Sequence, residues 1–202
     1  MNQRIAINGF GRIGRTVLRA WTARESLRQT VSIAAINEIA DPETVAHLTQ
    51  YDSTHGRFPG TVARTDDALI VNGQSIALLR QTHIDKLPWR DLGIDLVIES
   101  TGAFSDRVTA EQHINSGARR VLFSQPAQSD VDATIVWGLN QSELQANHQI
   151  ISAGSCTTNA LCPVLKIIDD VFGIEAGTIT TVHSAMNDQP VLDAYHHTDL
   201  RK

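Results

Sequence analysis

The apolar run Ile5-Ala6-Ile7 leads directly into Asn8-Gly9-Phe10-Gly11-Arg12-Ile13-Gly14, and an amphipathic stretch follows. A glycine loop between a strand and a helix is compatible with few folds. Gly9 permits the tight turn, Gly11 lets the backbone approach a phosphate, and Gly14 allows the helix to pack closely on a sheet. The amides of Arg12 and Ile13 then face outward at a helix N-terminus, where the dipole favours an anion. Glycine spacing alone is a weak signal, and the strand–loop–helix context gives it weight.

The remainder of the chain alternates in the same way. Strands are expected at residues 4–8, 31–37, 69–71, 75–79, 96–100, 120–123, 133–137 and 149–152, and helices at 11–24, 42–50, 105–116 and 156–172. The Leu96-Val97-Ile98 run is apolar throughout, as in a sheet covered on both faces. Strand–helix–strand order of this kind predicts an α/β fold with a doubly wound, mainly parallel sheet. Residues 68–79 read instead as a hairpin, because Asn72-Gly73 is a strong two-residue turn signal. Gly117 is placed to stop the helix over 105–116, and Pro163 predicts a distortion near residue 159 in the last helix. A domain boundary is expected near Gly154, giving a first domain over 1–154 and the beginning of an α+β domain over 155–202. Residues 178–184 read as the start of a strand in that second unit, and the polar tail 187–202 has no evident partner.

The net charge of −5, with Lys and Arg scattered, argues against non-specific nucleic-acid binding, which needs massed cations. Backbone amides can still form a local anion site. No apolar run approaches the roughly 18 residues of a spanning helix, and the N-terminus does not read as a signal peptide. The expectation is a cytoplasmic protein without membrane or nucleic-acid partners. Its two cysteines, Cys156 and Cys162, are expected to remain reduced, and no metal site is expected.

The strand over 31–37 is followed by Glu38. A carboxylate at that point can accept from both ribose hydroxyls and would repel a 2′-phosphate, which selects NAD over NADP. Farther along, Ser152-Ala153-Gly154-Ser155-Cys156-Thr157-Thr158-Asn159 joins a strand to a helix. Cys156 thus sits at a helix N-terminus, where unpaired amides stabilise a thiolate, and a thiolate attacks aldehyde carbonyls. Thr180-Thr181-Val182-His183 reads as a strand delivering a histidine that could serve as a base. Cys162 is expected to be packing. The other histidines (His47, His55, His83, His113, His148, His196 and His197) are expected at the surface or in the core.

Together, Asn8-Gly9-Phe10-Gly11-Arg12-Ile13-Gly14-Arg15, Tyr51-Asp52-Ser53-Thr54-His55-Gly56, Glu99-Ser100-Thr101-Gly102, Ser155-Cys156-Thr157-Thr158-Asn159 and His183-Ser184 resemble the glyceraldehyde-3-phosphate dehydrogenase family. The resemblance implies a Rossmann-type NAD-binding domain followed by a catalytic domain. It makes Cys156 the nucleophile and His183 the base, and places Ser155 and Thr157 near the attacking phosphate or water. Thr101 and Ser124 would line the cofactor cleft. It further implies a small phosphorylated aldehyde as substrate and a homotetramer.

Within the family, His183-Ser184-Ala185-Met186, Ile36-Asn37-Glu38 and Val191-Leu192-Asp193-Ala194-Tyr195-His196 resemble the erythrose-4-phosphate dehydrogenase branch, which serves pyridoxal phosphate synthesis. The alternative within the family is the phosphorylating, triose-specific branch of glycolysis, whose members carry a threonine where this chain has Met186, a side chain that donates no hydrogen bond. Two family habits are missing: Ala160 replaces a second cysteine, and Gly154 stands where alanine is usual. Family chains continue beyond a position such as Lys202, with further groups for substrate phosphate and nicotinamide. The expectation is therefore that these 202 residues alone show little dehydrogenase activity, which leaves a non-catalytic NAD-binding fragment as a reading of a different class.

Overall fold

The computed structural model describes residues 2–183. Its elements run in the order β1 (Gln3–Asn8), α1 (Arg12–Ala23), α2 (Glu25–Thr30), β2 (Val31–Asn37), α3 (Pro42–Gln50), β3 (Tyr51–Asp52), β4 (Gly56–Arg57), β5 (Val62–Arg64), β6 (Ala68–Val71), β7 (Gln74–Leu79), β8 (Leu96–Glu99), α4 (Arg107–Asn115), β9 (Arg120–Phe123), β10 (Ala133–Thr134), β11 (Ile150–Ser152) and α5 (Cys156–Phe172). Nine strands form one sheet in the order β10-β11-β9-β8-β1-β2-β7-β6-β5, while β3 and β4 pair separately. From β10 across to β7 every pairing is parallel, and β6 and β5 add an antiparallel edge. The chain leaves β1 towards β2 on one side and returns to β8 on the other, so the sheet has its switch point at β1. Crevices for ligands open at the C-terminal ends of strands at such a point.

The sheet is covered on both faces, as its apolar strands require. Ile5, Ile7, Ile33 and Ile36 pack with Leu18 and Trp21 of α1. The intervening Ala6 and Ala35 belong to a second cluster with Ile84, Leu87, Trp89, Ile94 and Val97. In β1 strand periodicity separates Ile5 and Ile7 from Ala6. In β2 the register shift that skips Ala34 puts Ile33 and Ile36 on one face and Ala35 on the other, which lets the 84–94 segment lie close to the sheet. Around β9, Val121 and Phe123 pack with Ala110 of α4 and Ile150 of β11.

Local signals explain most boundaries. Asp41 caps α3 by accepting from the Thr44 amide at 2.9 Å, with Pro42 in the first turn. Asp106 caps α4 through the Thr109 amide at 2.8 Å, and Gly117, at φ 113, ends it. Asn72 and Gly73 both have positive φ, 50 and 81, and form the mirror-image turn that suits a twisted hairpin between β6 and β7.

Other expectations are corrected. The strand expected over 133–137 stops at Thr134, because the Val136 amide donates to Asn140 Oδ1 at 2.8 Å and the chain turns away. Helix α5 continues through Pro163, so the distortion expected near residue 159 does not end it. Residues 178–183 form no strand: no neighbour supplies a ladder among the described residues, and Ile179 and Val182 are 61% and 98% exposed. Short elements α2, β3, β4 and β5 lacked sufficient periodicity to be anticipated. Residues 184–202, including Ser184, Ala185, Met186 and the 187–202 tail, lie outside the described residues.

Asp132 joins the far edge of the sheet to α4. Its carboxylate accepts from the amides of Gln149 and Ile150 at 2.7 and 2.9 Å and from Arg107. Burial pushes its carboxyl upward, but the Ile150 amide, Arg107 and the Gln149 amide outweigh that and bring it from 3.8 down to about 2. A depressed carboxyl stabilises the fold fully above its ordinary value and loses that contribution as pH falls through the folded one. Asp132→Asn should therefore cost about 1–2 kcal/mol at neutral pH. The difference from wild type in denaturant titrations should shrink as pH falls from 3.8 towards about 2; a gap that stays constant with pH would refute this role.

Candidate active site

A cleft of about 360 Å³ opens over the C-terminal ends of β1, β2 and β8, lined among others by Gly9, Gly11, Glu38, Ser100, Thr101 and Phe104. The expected loop forms its rim. Gly9 has φ +85, and a Cβ there would lie 2.6 Å from the Thr101 backbone, so only glycine fits. A Cβ on Gly14 would lie 2.4 Å from the Gly9 carbonyl oxygen, which holds the start of α1 tight against the loop. Gly11 differs from both: no protein atom lies within 4 Å of where its Cβ would be. The space over Gly11 faces the cleft, at the point where a pyrophosphate must reach the backbone. No side chain caps α1, whose first residues are Arg12 and Ile13. A dinucleotide fits this arrangement, because the helix end offers donors and the loop offers room.

Glu38 occupies the expected position and has a second job. Its Oε2 accepts from the Phe10 amide at 2.8 Å and its Oε1 from the Ala40 amide at 3.2 Å. The carboxylate thus fastens the glycine loop to β2, and its remaining lone pairs stay available for ribose hydroxyls. Thr101 lines the cleft as expected. Ser124 follows β9 with its hydroxyl donating to Gln125 Oε1 at 2.9 Å, outside the lining of this 360 Å³ cleft.

In and just under the floor of the cleft lie three residues to which sequence reasoning gave no role of their own. Asn8, Asn37 and Glu99 close three adjacent parallel strands and are all buried. A polar residue ending each of three apolar runs was the available signal. Its meaning depended on a register that only the assembled sheet provides.

The second site is at the start of α5. Ser155 caps the helix, its Oγ accepting from the Thr158 amide at 2.9 Å and bonding Thr158 Oγ1 at 2.7 Å. The same hydroxyl that is expected to meet substrate thus also caps the helix. Asn159 Nδ2 donates to the carbonyls of Ala153 and Ser155 at 2.7 and 2.9 Å, fixing the turn that delivers the chain into the helix. Cys156 is exposed and its Sγ lies 3.2 Å from His183 Nε2. The two residues, with Thr157, Ala160 and Leu161, line a cleft of about 490 Å³. The hydrogen bond from His183 is the main cause holding the thiol below its ordinary value of 9.0. Slight burial opposes it, and the His183 charge and Thr157 reinforce it.

The structure thus brings Cys156, His183 and Thr157 together at one cleft and Gly9, Gly11, Glu38 and Thr101 at the other. Cys162 is half-buried, and both cysteines are free thiols. No group of His, Cys, Asp and Glu suited to a metal occurs among the described residues. No helix among them is long and apolar enough to cross a membrane. Residues 3–107 match the family model described as glyceraldehyde 3-phosphate dehydrogenase, NAD binding domain. Residues 155–202 match the one described as glyceraldehyde 3-phosphate dehydrogenase, C-terminal domain.

The geometry at Cys156 makes a prediction about alkylation. The thiolate is the reactive form, so a lowered value means faster labelling at neutral pH. Iodoacetamide should label Cys156 before Cys162, with a pH midpoint below 9.0. His183→Ala should move that midpoint upward. Equal labelling of the two thiols, read by peptide mass mapping, would contradict the assigned environment.

Proposed function

Since this chain belongs to the glyceraldehyde-3-phosphate dehydrogenase family of NAD-dependent dehydrogenases, we propose that it oxidises D-erythrose 4-phosphate to 4-phosphoerythronate through a thioester on Cys156. The observation that carries this reading is the 3.2 Å contact between Cys156 Sγ and His183 Nε2 at the start of α5. It supplies a nucleophile and a base within reach of one substrate carbon. The choice of the four-carbon aldose phosphate is supported by the His183-Ser184-Ala185-Met186 string, where Met186 offers no donor to a substrate phosphate.

In the proposed sequence the Cys156 thiolate adds to the aldehyde carbon, and the carbonyl oxygen takes a proton from the His183 imidazolium to become the hydroxyl of a thiohemiacetal. His183 removes that hydroxyl proton as the carbon is oxidised to the thioester. Bound NAD supplies the hydride acceptor for the oxidation. Once that proton has passed to solvent, the neutral imidazole takes a proton from water, which cleaves the acyl–sulfur bond, releasing the acid and returning the Cys156 thiolate. Residues 9–14, with the amides of Arg12 and Ile13, would hold the pyrophosphate, Glu38 the ribose hydroxyls, and Thr101 the neighbouring part of the cofactor. Thr157, which lines the Cys156 cleft, would face the incoming water. The same reading divides the chain into a cofactor domain over 1–154 and catalytic residues over 155–202, and places the enzyme in a cytoplasmic homotetramer serving pyridoxal phosphate synthesis.

General-base assistance is worth roughly 10²–10⁴ in rate. In the active enzyme, His183→Asn should slow turnover by that order while NAD affinity, measured by calorimetry, stays within about twofold of wild type. Unchanged turnover would remove His183 from the mechanism. Substrate choice is tested by initial rates with erythrose 4-phosphate and glyceraldehyde 3-phosphate, each with and without inorganic phosphate. Turnover of the tetrose independent of phosphate is expected. Strong phosphate-dependent turnover of the triose would reassign the substrate.

A further inference from the structure

Glu99 is 0% exposed, and no lysine or arginine among the described residues pairs with it. Such a carboxyl is costly to bury unless its oxygens are supplied with donors. Two hydrogen-bond chains supply them, and the direction of each is fixed by a group that can only donate.

On one side the Gln81 amide donates to Asn37 Oδ1 at 2.8 Å. Asn37 Nδ2 is then the donor that reaches Asn8 Oδ1 at 2.7 Å, and Asn8 Nδ2 in turn donates to Glu99 Oε2 at 2.6 Å. On the other side the Trp89 indole N–H donates to His113 Nδ1 at 2.9 Å. An imidazole that accepts at Nδ1 carries its proton on Nε2, and that nitrogen lies 3.1 Å from Glu99 Oε2. The Thr101 amide donates to Glu99 Oε1 at 2.9 Å, and the Thr101 hydroxyl bonds the same oxygen. Both chains therefore converge on one acceptor.

The members of this network are not scattered. Asn8, Asn37, Gln81 and Thr101 all line the glycine-loop cleft, whereas Glu99, His113 and Trp89 lie out of reach beneath it. The glycine loop itself rests on the Thr101 backbone, and Ser100 Oγ donates to the Gly9 carbonyl at 2.7 Å. We propose that Glu99 is a positioning residue for NAD: an acceptor hub, oriented by Trp89 through His113, that holds three strand ends and the Thr101 turn in the binding geometry before the cofactor arrives. It acts through Asn8 and Thr101 and does not itself meet the ligand. An ordered site binds more tightly because less freedom is lost on binding. The proposal rests on this cleft being the NAD site.

The test is NAD affinity by calorimetry at a temperature where circular dichroism shows each variant folded, so that a purely stabilising role leaves the affinity unmoved. Glu99→Gln keeps the shape but turns a donor towards donors, and His113→Leu removes a donor. Each should weaken NAD binding by about tenfold. His113→Gln retains an amide donor towards Glu99 and should stay within about threefold of wild type. Trp89→Phe leaves the carboxyl and imidazole in place but frees the tautomer, and should weaken binding by about threefold even if the bulkier changes fail to fold. Wild-type affinity in folded Glu99→Gln, or in Trp89→Phe, would overturn the proposal, as would equal losses in His113→Gln and His113→Leu. Failure of the unaltered protein to bind NAD would overturn the cleft assignment, and this proposal with it.

Discussion

The contact between Gly9 and the backbone of Thr101 governs the shape of the cofactor half. A Cβ at residue 9 would meet that backbone at 2.6 Å, closer than packed atoms approach, so β1 and β8 can lie side by side at the switch point only with glycine there. Everything above the sheet follows from it. The loop is low enough for α1 to begin directly over the crevice, and Gly14 then seats the helix on the loop it springs from. The strand ends come together below, where their polar residues must satisfy one another because water is excluded.

Much of this was legible in the sequence. Helices α3 and α5 and strands β2 and β9 have the expected limits because capping residues, proline and β-branched runs act locally. The Asn72-Gly73 hairpin was legible for the same reason. What the sequence did not disclose depends on distant partners. Asn8 and Glu99 are far apart in the chain yet bonded at 2.6 Å, and no local pattern marks that pairing. His113 was expected to be ordinary packing; it is buried, but as one link in a directed network rather than as a hydrophobic filler. The 178–183 segment has strand composition without a strand, because composition does not provide a neighbour to pair with.

The two clefts are held by different means. The cofactor cleft is built on a fully packed sheet. The nucleophile stands on a helix with no buried residue, and Val164, Ile167, Val171 and Phe172 on that helix are all exposed. Short-range bonds place Cys156 instead: the Ser155 cap, the two Asn159 bonds to the entering turn and the contact with His183. Ser155 and Asn159 were conspicuous in the sequence as neighbours of a cysteine, and their geometry identifies them as the fittings that aim it.

Glu38 couples two properties that are usually considered separately. The carboxylate assigned to read the adenosine ribose also accepts the Phe10 amide, so it helps to set the height of the loop over which the phosphates lie. On the proposed reading, discrimination between dinucleotides and order in the loop would be carried by a single side chain. On the same reading, descent towards a 2′-phosphorylated cofactor could not proceed by truncating residue 38 to a side chain without an acceptor. That change would admit the extra phosphate and at the same time release the loop that grips the others, so a second anchor for the residue 10 amide would have to arise first.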